Sequence, residues 1–269
     1  MTTTLAIANQ KGGVAKTTSV ASIGAALAEL GHTVLLVALD PQACLTFSLG
    51  IDPEDLELSV HQVLTQGLDP AEAIIATDDG VDLLPATIEL ARAEAELLTR
   101  TGREQVLKSA LEDLAETAET AYDWILLDCP PSLGVLTVAA LTAARAVLVP
   151  LQCETLSHRG VGQLLDTVHD VRRFTNRRLE VWGVLPTLYD GRTNHARTVL
   201  ETISQTYDLE VGGPPIPKTI KFAEAPAAGR SILATSRSSK GAAAYREVAA
   251  TLVERAARKP ARTPRQKRA

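Results

Sequence analysis

The stretch Gln10–Thr18, which reads QKGGVAKTT, decides the fold of this chain. A short apolar run, Leu5–Ala8, comes before it, and a helix-like segment, Ser19–Leu30, comes after it. A strand, a glycine-rich turn and a helix in this order form a phosphate-binding loop. The glycines let backbone N–H groups approach the anion, and the helix N-terminus adds positive potential. In such a loop Lys16 reaches the outer phosphates and Thr17 offers its hydroxyl to Mg²⁺.

The loop departs from the plain P-loop pattern, which has glycine where this chain has Gln10 and Ala15. A Gly-Gly turn beside a lysine also occurs in ordinary loops. Alanine at position 15 is compatible with the loop only if the backbone there does not need a positive φ. A second lysine, Lys11, lies five residues before Lys16 and makes the interpretation as a phosphate-binding loop more specific.

Composition limits the class of protein. The 269 residues are 45% hydrophobic but only 3% aromatic, so we expect an aliphatic core in one large or two small α/β domains. The net charge of −5 argues against a basic coat over the whole surface and leaves a local basic patch open. Three widely spaced cysteines favour reduced thiols in a cytoplasm over disulfides or a zinc site. We expect no signal peptide and no membrane span.

Strand-like and helical segments alternate along the chain, which predicts an α/β fold with a mainly parallel, doubly wound sheet. The predicted strands are Leu5–Ala8, Thr33–Ala38, Val81–Pro85, Trp124–Leu127, Ala146–Pro150 and Glu180–Pro186. The predicted helices are Lys16–Leu30, Ile88–Thr99, Gln105–Glu119, Leu133–Ala143, Arg159–Phe174, Asn194–Tyr207 and Gly241–Arg258. We read residues 51–80 as a loop with short helices. The predicted organisation is a single domain over residues 1–257 and a basic, disordered tail over residues 258–269.

Two acidic residues follow predicted strands. Asp40 comes after the run that ends at Ala38, and Asp128 directly follows Leu127. Parallel sheets bind ligands beyond the carboxyl ends of their strands, so both carboxylates should lie beside the phosphate loop. There Asp128 would hold Mg²⁺, and Asp40 would position water or the Mg²⁺ shell. An aspartate before a proline, as at Asp40, is also a common turn starter.

Three motifs in order resemble the ParA/MinD family of ATPases, which carry a deviant Walker A loop. They are the two-lysine form KGGVAKT of residues 11–17, the DPQ run of residues 40–42 and the CPPSLG run of residues 129–134. The resemblance covers about residues 4 to 256 and is strongest to the short ParA/Soj type of chromosome-partitioning ATPase. It implies a three-layer P-loop NTPase fold that binds ATP and Mg²⁺.

The resemblance also implies roles for individual residues. Lys11 crosses a dimer interface to the partner's nucleotide, Lys16 contacts the phosphates, and Asp40 orients the hydrolytic water. Thr17, Asp40 and Asp128 form the metal site. The nucleotide-binding set is Lys11, Gly12, Gly13, Val14, Ala15, Lys16, Thr17, Thr18 and Pro217. Arg192 and Lys221 align with DNA-binding positions, and Lys218 and Arg230 would extend that patch. Members of the family usually carry a further aspartate where this chain has Ala38.

The function implied is an ATP-dependent dimerising switch that binds DNA without sequence preference. It hydrolyses ATP slowly, is stimulated by a ParB-like partner, and acts at the nucleoid in the cytoplasm. One alternative is a ParA-like protein that positions another cargo with weak or no hydrolysis, which Ala15 and Ala38 motivate. A MinD-like membrane switch is disfavoured, because the residues after Arg258 are almost without large apolar side chains. A metabolic P-loop enzyme would leave Lys11 without a partner subunit.

Overall fold

A seven-stranded sheet organises the chain. The computed structural model describes residues 2–117, 121–154, 157–191 and 194–258. The strands are β1 (Thr3–Ile7), β2 (Val34–Ala38), β3 (Ile75–Ala76), β4 (Asp82–Leu84), β5 (Trp124–Asp128), β6 (Ala146–Gln152) and β7 (Glu180–Thr187).

Helices connect these strands. They are α1 (Lys16–Glu29), α2 (Cys44–Ser48), α3 (Val60–Gln66), α4 (Pro70–Ala73), α5 (Leu90–Leu98), α6 (Val106–Thr117), α7 (Val135–Ala143), α8 (Ser157–Phe174), α9 (Asn194–Tyr207), α10 (Lys221–Ala227), α11 (Ile232–Thr235) and α12 (Lys240–Ala257). A 3-10 turn, Pro53–Asp55, precedes α3.

The strand order is β3-β4-β2-β5-β1-β6-β7, and every pairing is parallel except that of β3 with β4. This confirms the predicted mainly parallel, doubly wound sheet. Strand β1 lies between β5 and β6, and β2 lies on the far side of β5. The carboxyl ends of β1, β2 and β5 are therefore neighbours at one edge, where the loop after β1 meets the residues that follow β2 and β5.

The central strands are buried because their sequences are apolar on both faces. Every residue of β2 and β5 is buried, as expected for parallel strands covered by helices on both sides. One hydrophobic core runs from Leu5 in β1 to Leu252 in α12 and is mostly aliphatic, as the composition predicts.

The helices form two groups that cover the sheet and give the predicted three layers. In one group α1 packs against α2, α11 and α12; in the other α7 packs against α5, α6 and α8. Gly24 lets α1 lie close to β2, because a Cβ at this position would come within 2.7 Å of a Leu36 methyl group. None of the helices in the described ranges has the length and apolarity needed to cross a membrane.

The structure adds short elements that the sequence pattern did not predict: β3, α2, α10 and α11. Each has at most seven residues, too few for a hydrophobic period to be recognised. Helix α10 also contains Pro226, which normally argues against a helix interior but here falls in the last turn. Of the predicted tail, residues 258–269, all but Arg258 lie outside the described residues. That tail and the single-domain boundary at residue 257 stay predictions.

Candidate nucleotide-binding site

Two buried polar side chains hold the loop between β1 and α1. Asn9 donates through Nδ2 to the Pro150 carbonyl at 2.7 Å, and its Oδ1 accepts from the Lys11 backbone N–H at 3.0 Å. Thr187 donates through its hydroxyl to the Val14 carbonyl at 2.9 Å. These bonds tie the loop to the ends of β6 and β7. Sequence reasoning missed both residues, although each is a polar side chain at the end of an apolar strand-like run.

Ala15 does not meet the condition that the sequence set for it. Its backbone has φ 62° and ψ 37°, in the left-handed region, at the position that caps the N-terminus of α1. An L-residue in this region costs about 1–2 kcal/mol that glycine does not pay. The loop geometry therefore overrides the residue preference, and alanine is accommodated here in spite of the positive φ.

Lys16 is the first residue of α1, and its side chain folds back over the loop. Its Nζ donates to the Lys11 carbonyl at 3.2 Å, and only 7% of the residue is exposed. Burial lowers the pKa of Lys16, while the negative charges of Asp128 and Asp40 act in the opposite direction. A bound phosphate would add negative charge beside the ammonium group and stabilise its charged form.

Thr17 and Asp128 join the loop to the sheet. The Thr17 hydroxyl donates to Asp128 Oδ2 at 2.8 Å. Asp128 is completely buried at the end of β5, and its Oδ1 has no hydrogen-bond partner among the described residues. Burial, with a smaller contribution from Asp40, raises the pKa of Asp128 to about 7. A buried carboxylate with an unsatisfied oxygen is energetically costly, and such a group calls for a counter-charge.

This pair fits a magnesium ion. Mg²⁺ takes oxygen ligands and is commonly bound by one or two carboxylates together with substrate phosphates and water. The Thr17 hydroxyl and the unpaired Asp128 oxygen supply such ligands. The described residues contain no cluster of three or more acidic, histidine or cysteine side chains that would hold a metal alone. Phosphate oxygens and water would complete the coordination of an ion held by this pair.

Asp40 lies beside this pair, two residues after β2. The Leu39 backbone N–H donates to the Asp128 carbonyl at 3.0 Å, which places the two strand ends together. The Asp40 carboxylate is partly exposed, and its Oδ1 accepts from the Gln42 backbone N–H at 3.0 Å. In the folded chain the Asp40 carboxylate thus starts a turn. Lys16, Thr17, Asp40 and Asp128 therefore meet at one site.

Lys11 points away from its own loop. Its Nζ forms an ion pair with Glu154 Oε2 at 2.5 Å, and the two side chains are 34% and 51% exposed. A pair this exposed is worth only about 0–1 kcal/mol. Lys11 is thus weakly restrained at the surface and can exchange Glu154 for a stronger anion.

The segment after β5 packs beside the loop. A Cβ on Gly12 would be in ordinary contact with the Pro131 side chain, at 3.9 Å. Cys129 is completely buried, and burial raises the pKa of its thiol. It is therefore a packed small residue, and its thiol is not activated as a nucleophile.

The other predicted residues lie elsewhere. Lys221 is the exposed first residue of α10, and Pro217 pairs with Tyr189 in an isolated bridge after β7. Arg192 lies outside the described residues. Arg230 is engaged within the chain: its Nε donates to Asp79 Oδ1 at 2.5 Å, and the Asp79 side chain is only 2% exposed. Arg230 therefore fastens the turn between β3 and β4 to the start of α11, rather than being a free surface charge.

The loop, its buried lysine and the Thr17–Asp128 pair at the carboxyl edge of a parallel sheet define a P-loop nucleotide-binding protein. A family model described as "AAA domain" matches residues 2–181. The sporulation initiation inhibitor protein Soj of Bacillus subtilis is 43% identical over 91% of this chain and 96% of its own length. The chromosome partitioning protein ParA of Caulobacter vibrioides is 40% identical over 93% of this chain and 94% of its own length.

A solved structure extends this likeness to the fold. The crystal structure of cobyrinic acid a,c-diamide synthase from Mycobacterium smegmatis, with bound ADP and magnesium, is 56% identical to this chain. It covers 94% of this chain and 95% of its own, with a TM-score of 0.84. On these matches the chain belongs to the ParA/Soj-type family of partitioning ATPases within the AAA-domain class.

Proposed function

We propose that this chain is an ATP- and Mg²⁺-dependent dimerising switch that binds DNA and hydrolyses ATP during partitioning. The observation that carries the nucleotide site is the Thr17–Asp128 hydrogen bond beside Lys16, because it leaves one buried carboxylate oxygen for a cation. Residues 11–18 would cradle the phosphates, and Pro217 would lie near the base. The M. smegmatis structures with ADP or an ATP analogue and magnesium support this choice of ligands.

Mg²⁺, when bound, supplies positive charge to the outer phosphates, and Thr17 and Asp128 would hold it. Lys16 is preorganised to contact the transferred phosphoryl group, since its side chain already lies over the loop. Asp40 would orient the attacking water from the open edge of the sheet. Positioning and charge stabilisation are what phosphoryl transfer asks of a protein. We propose slow turnover that a ParB-like protein stimulates.

The position of Lys11 supports the proposed dimerisation. Its ammonium group lies at the surface, so it can serve a nucleotide that is bound to a second copy of the chain. Breaking the exposed ion pair between Lys11 and Glu154 costs little free energy. A phosphate group in an interface from which water is excluded gives Lys11 a stronger, charge-assisted hydrogen bond. The closed dimer would then contact DNA through Lys221 and Arg192, which would bring the protein to the nucleoid.

The name of the M. smegmatis relative raises amide synthesis as a second candidate. If its nitrogen came from a donor amide cleaved by a cysteine nucleophile, that thiol would need a lowered pKa. Here burial raises the pKa of the Cys129 thiol, and it raises the pKa of Cys153 to about 11. The pKa of Cys44 is also raised, and burial is the main cause. The cysteines of this chain thus do not support that chemistry. The partitioning relatives likewise do not favour the cargo-positioning alternative.

Replacing Lys11 with alanine tests the dimer. Sedimentation velocity with a non-hydrolysable ATP analogue and Mg²⁺ should show a dimer for the parent protein and a monomer for Lys11→Ala. Losing a charge pair that is desolvated at an interface should weaken association at least about thirtyfold. The matched control is Lys108→Ala, which removes an equally exposed lysine from α6. Equal dimerisation of Lys11→Ala and the parent would contradict the proposed role.

A further inference from the structure

Four exposed arginines lie close together in sequence where α8 ends and β7 begins. They are Arg172, Arg173, Arg177 and Arg178, which we call the arginine edge. In the described part of the chain, none of their guanidinium groups lies within 4 Å of a carboxylate. Asp170 and Glu180 flank this segment in sequence. Glu180 accepts a hydrogen bond from the Trp182 indole at 2.8 Å. A chain with net charge −5 thus concentrates unneutralised positive charge at one place.

The fold holds this segment rigidly. Asn176 donates through Nδ2 to the carbonyls of Leu141 at 3.1 Å and Ala144 at 2.7 Å, at the end of α7. Its Oδ1 accepts from the Arg178 backbone N–H at 3.2 Å. Arg172 Nε donates to the Leu179 carbonyl at 2.7 Å. Because the backbone is anchored, little loop entropy is lost when the arginines meet a ligand.

Further positive charge adjoins the arginine edge. The Glu180 backbone N–H donates to the Arg145 carbonyl at 3.0 Å, and the Arg145 guanidinium donates to the carbonyls of Ala256 at 3.0 Å and Arg258 at 3.3 Å. The last turn of α12 therefore ends next to the same edge. Beyond Arg258 the sequence carries Lys259, Arg262, Arg265, Lys267 and Arg268 and no acidic residue.

This surface lies at the opposite end of the sheet from the nucleotide site. Strand β7 begins beside the arginine edge at Glu180 and ends at Thr187, which contacts the phosphate loop. Eight residues of extended strand span roughly 26 Å. Face-to-face closure at the nucleotide edge would leave the arginine edge open, and nothing in its own contacts depends on nucleotide.

We propose that the arginine edge is a second, nucleotide-independent binding surface for the phosphate backbone of nucleic acid. Arginine guanidinium groups match phosphate oxygens in a planar, bidentate way. Phe174 is 70% exposed between the arginine pairs, and the Arg173 guanidinium lies 5.0 Å from its ring centre. A membrane surface fits less well, because an interfacial helix needs an apolar face and Phe174 alone, partly covered by Arg173, does not form one.

The test is DNA binding by the nucleotide-free protein at low salt, measured by fluorescence anisotropy with a short duplex. The double variant Arg177→Glu/Arg178→Glu should bind at least about tenfold more weakly and with a shallower salt dependence, since each lost phosphate contact removes counterion release. Neither side chain forms a hydrogen bond or ion pair with the described residues, so the melting temperature should not change. Arg177→Lys/Arg178→Lys should retain most of the affinity. The matched control, Arg92→Glu/Lys108→Glu, carries the same charge change on α5 and α6.

The proposal would be overturned by any of the following results: no DNA binding by the nucleotide-free parent at low salt, equal binding by the edge variant and the parent, or an equal loss in the control. Loss of binding to anionic phosphatidylserine vesicles without loss of DNA binding would instead assign the surface to membranes and equally overturn it. The proposed ATP switch is tested by a different measurement. Its signature is the increase in DNA binding on adding ATP, which the edge variant should keep and Lys221→Ala should reduce.

Discussion

Lys16→Ala is expected to lower ATP hydrolysis at least about a hundredfold, the loss seen when one preorganised charge-stabilising donor is removed from an active site. The reason lies in its placement. Lys16 is 93% buried, its Nζ is held 3.2 Å from the Lys11 carbonyl, and burial lowers its pKa until a phosphate arrives. Water cannot replace an ammonium group at this depth. Phosphate release from purified protein with ATP and Mg²⁺ measures the effect.

Two comparisons make this result specific. Lys108→Ala, on the exposed face of α6, should hydrolyse ATP at the parent rate. The melting temperature of Lys16→Ala without nucleotide serves as the folding control, because the variant removes a costly buried charge and also the positive charge that stabilises the Asp128 carboxylate. Parent-like hydrolysis by a folded Lys16→Ala protein would contradict the site assignment.

Asp128→Asn is expected to abolish the Mg²⁺ dependence of nucleotide binding and to lower hydrolysis by a similar factor. The amide keeps the shape of the side chain and a hydrogen bond with Thr17, but it loses the charge that would hold the cation. Titration calorimetry with ATP, with and without Mg²⁺, separates the Mg²⁺-dependent part of nucleotide binding from the Mg²⁺-independent part. Parent and variant should differ only when Mg²⁺ is present.

The same substitution should not destabilise the nucleotide-free fold. The folded pKa of Asp128, about 7, lies above its ordinary value, so the parent loses stability as pH rises from about 4 through 7. At pH 8 without Mg²⁺ the parent carries this penalty in full and Asp128→Asn does not. Thermal unfolding at pH 8 should therefore give an equal or higher melting temperature for the variant. A clear drop, absent from the matched Asp113→Asn protein, would show that the carboxylate is structural and not a metal ligand.

Sequence reasoning expected Lys16, Thr17 and Asp128 to lie together, and the structure brings them to one place, while their roles stay predictions. Lys16, Thr17 and Asp128 each follow from a strand end or a helix start, and a parallel sheet brings such ends together regardless of loop detail. Residues that act by holding the loop were missed. Asn9 and Thr187 reach the loop from β1 and β7, and their roles depend on which strands are neighbours in space.

Backbone strain was the other point that sequence could not decide. Ala15 adopts a left-handed conformation because the loop requires it, and its residue type alone argues the opposite. Arg230 shows the same limit for charges. Sequence reasoning placed Arg230 in the predicted DNA-binding patch, but in the structure Asp79, which is far away in sequence, holds its guanidinium group. Both outcomes come from tertiary contacts that no local pattern carries.

The most direct test of the proposed switch is co-sedimentation with DNA at moderate salt, with ATP, with ADP and without nucleotide. At this salt concentration the arginine edge alone should bind too weakly to pellet the protein. We predict that the parent binds only with ATP, that Lys16→Ala does not bind, and that Lys221→Ala binds more weakly than the parent. Binding that is equal in all three nucleotide states, or absent from all of them, would contradict an ATP-gated DNA switch.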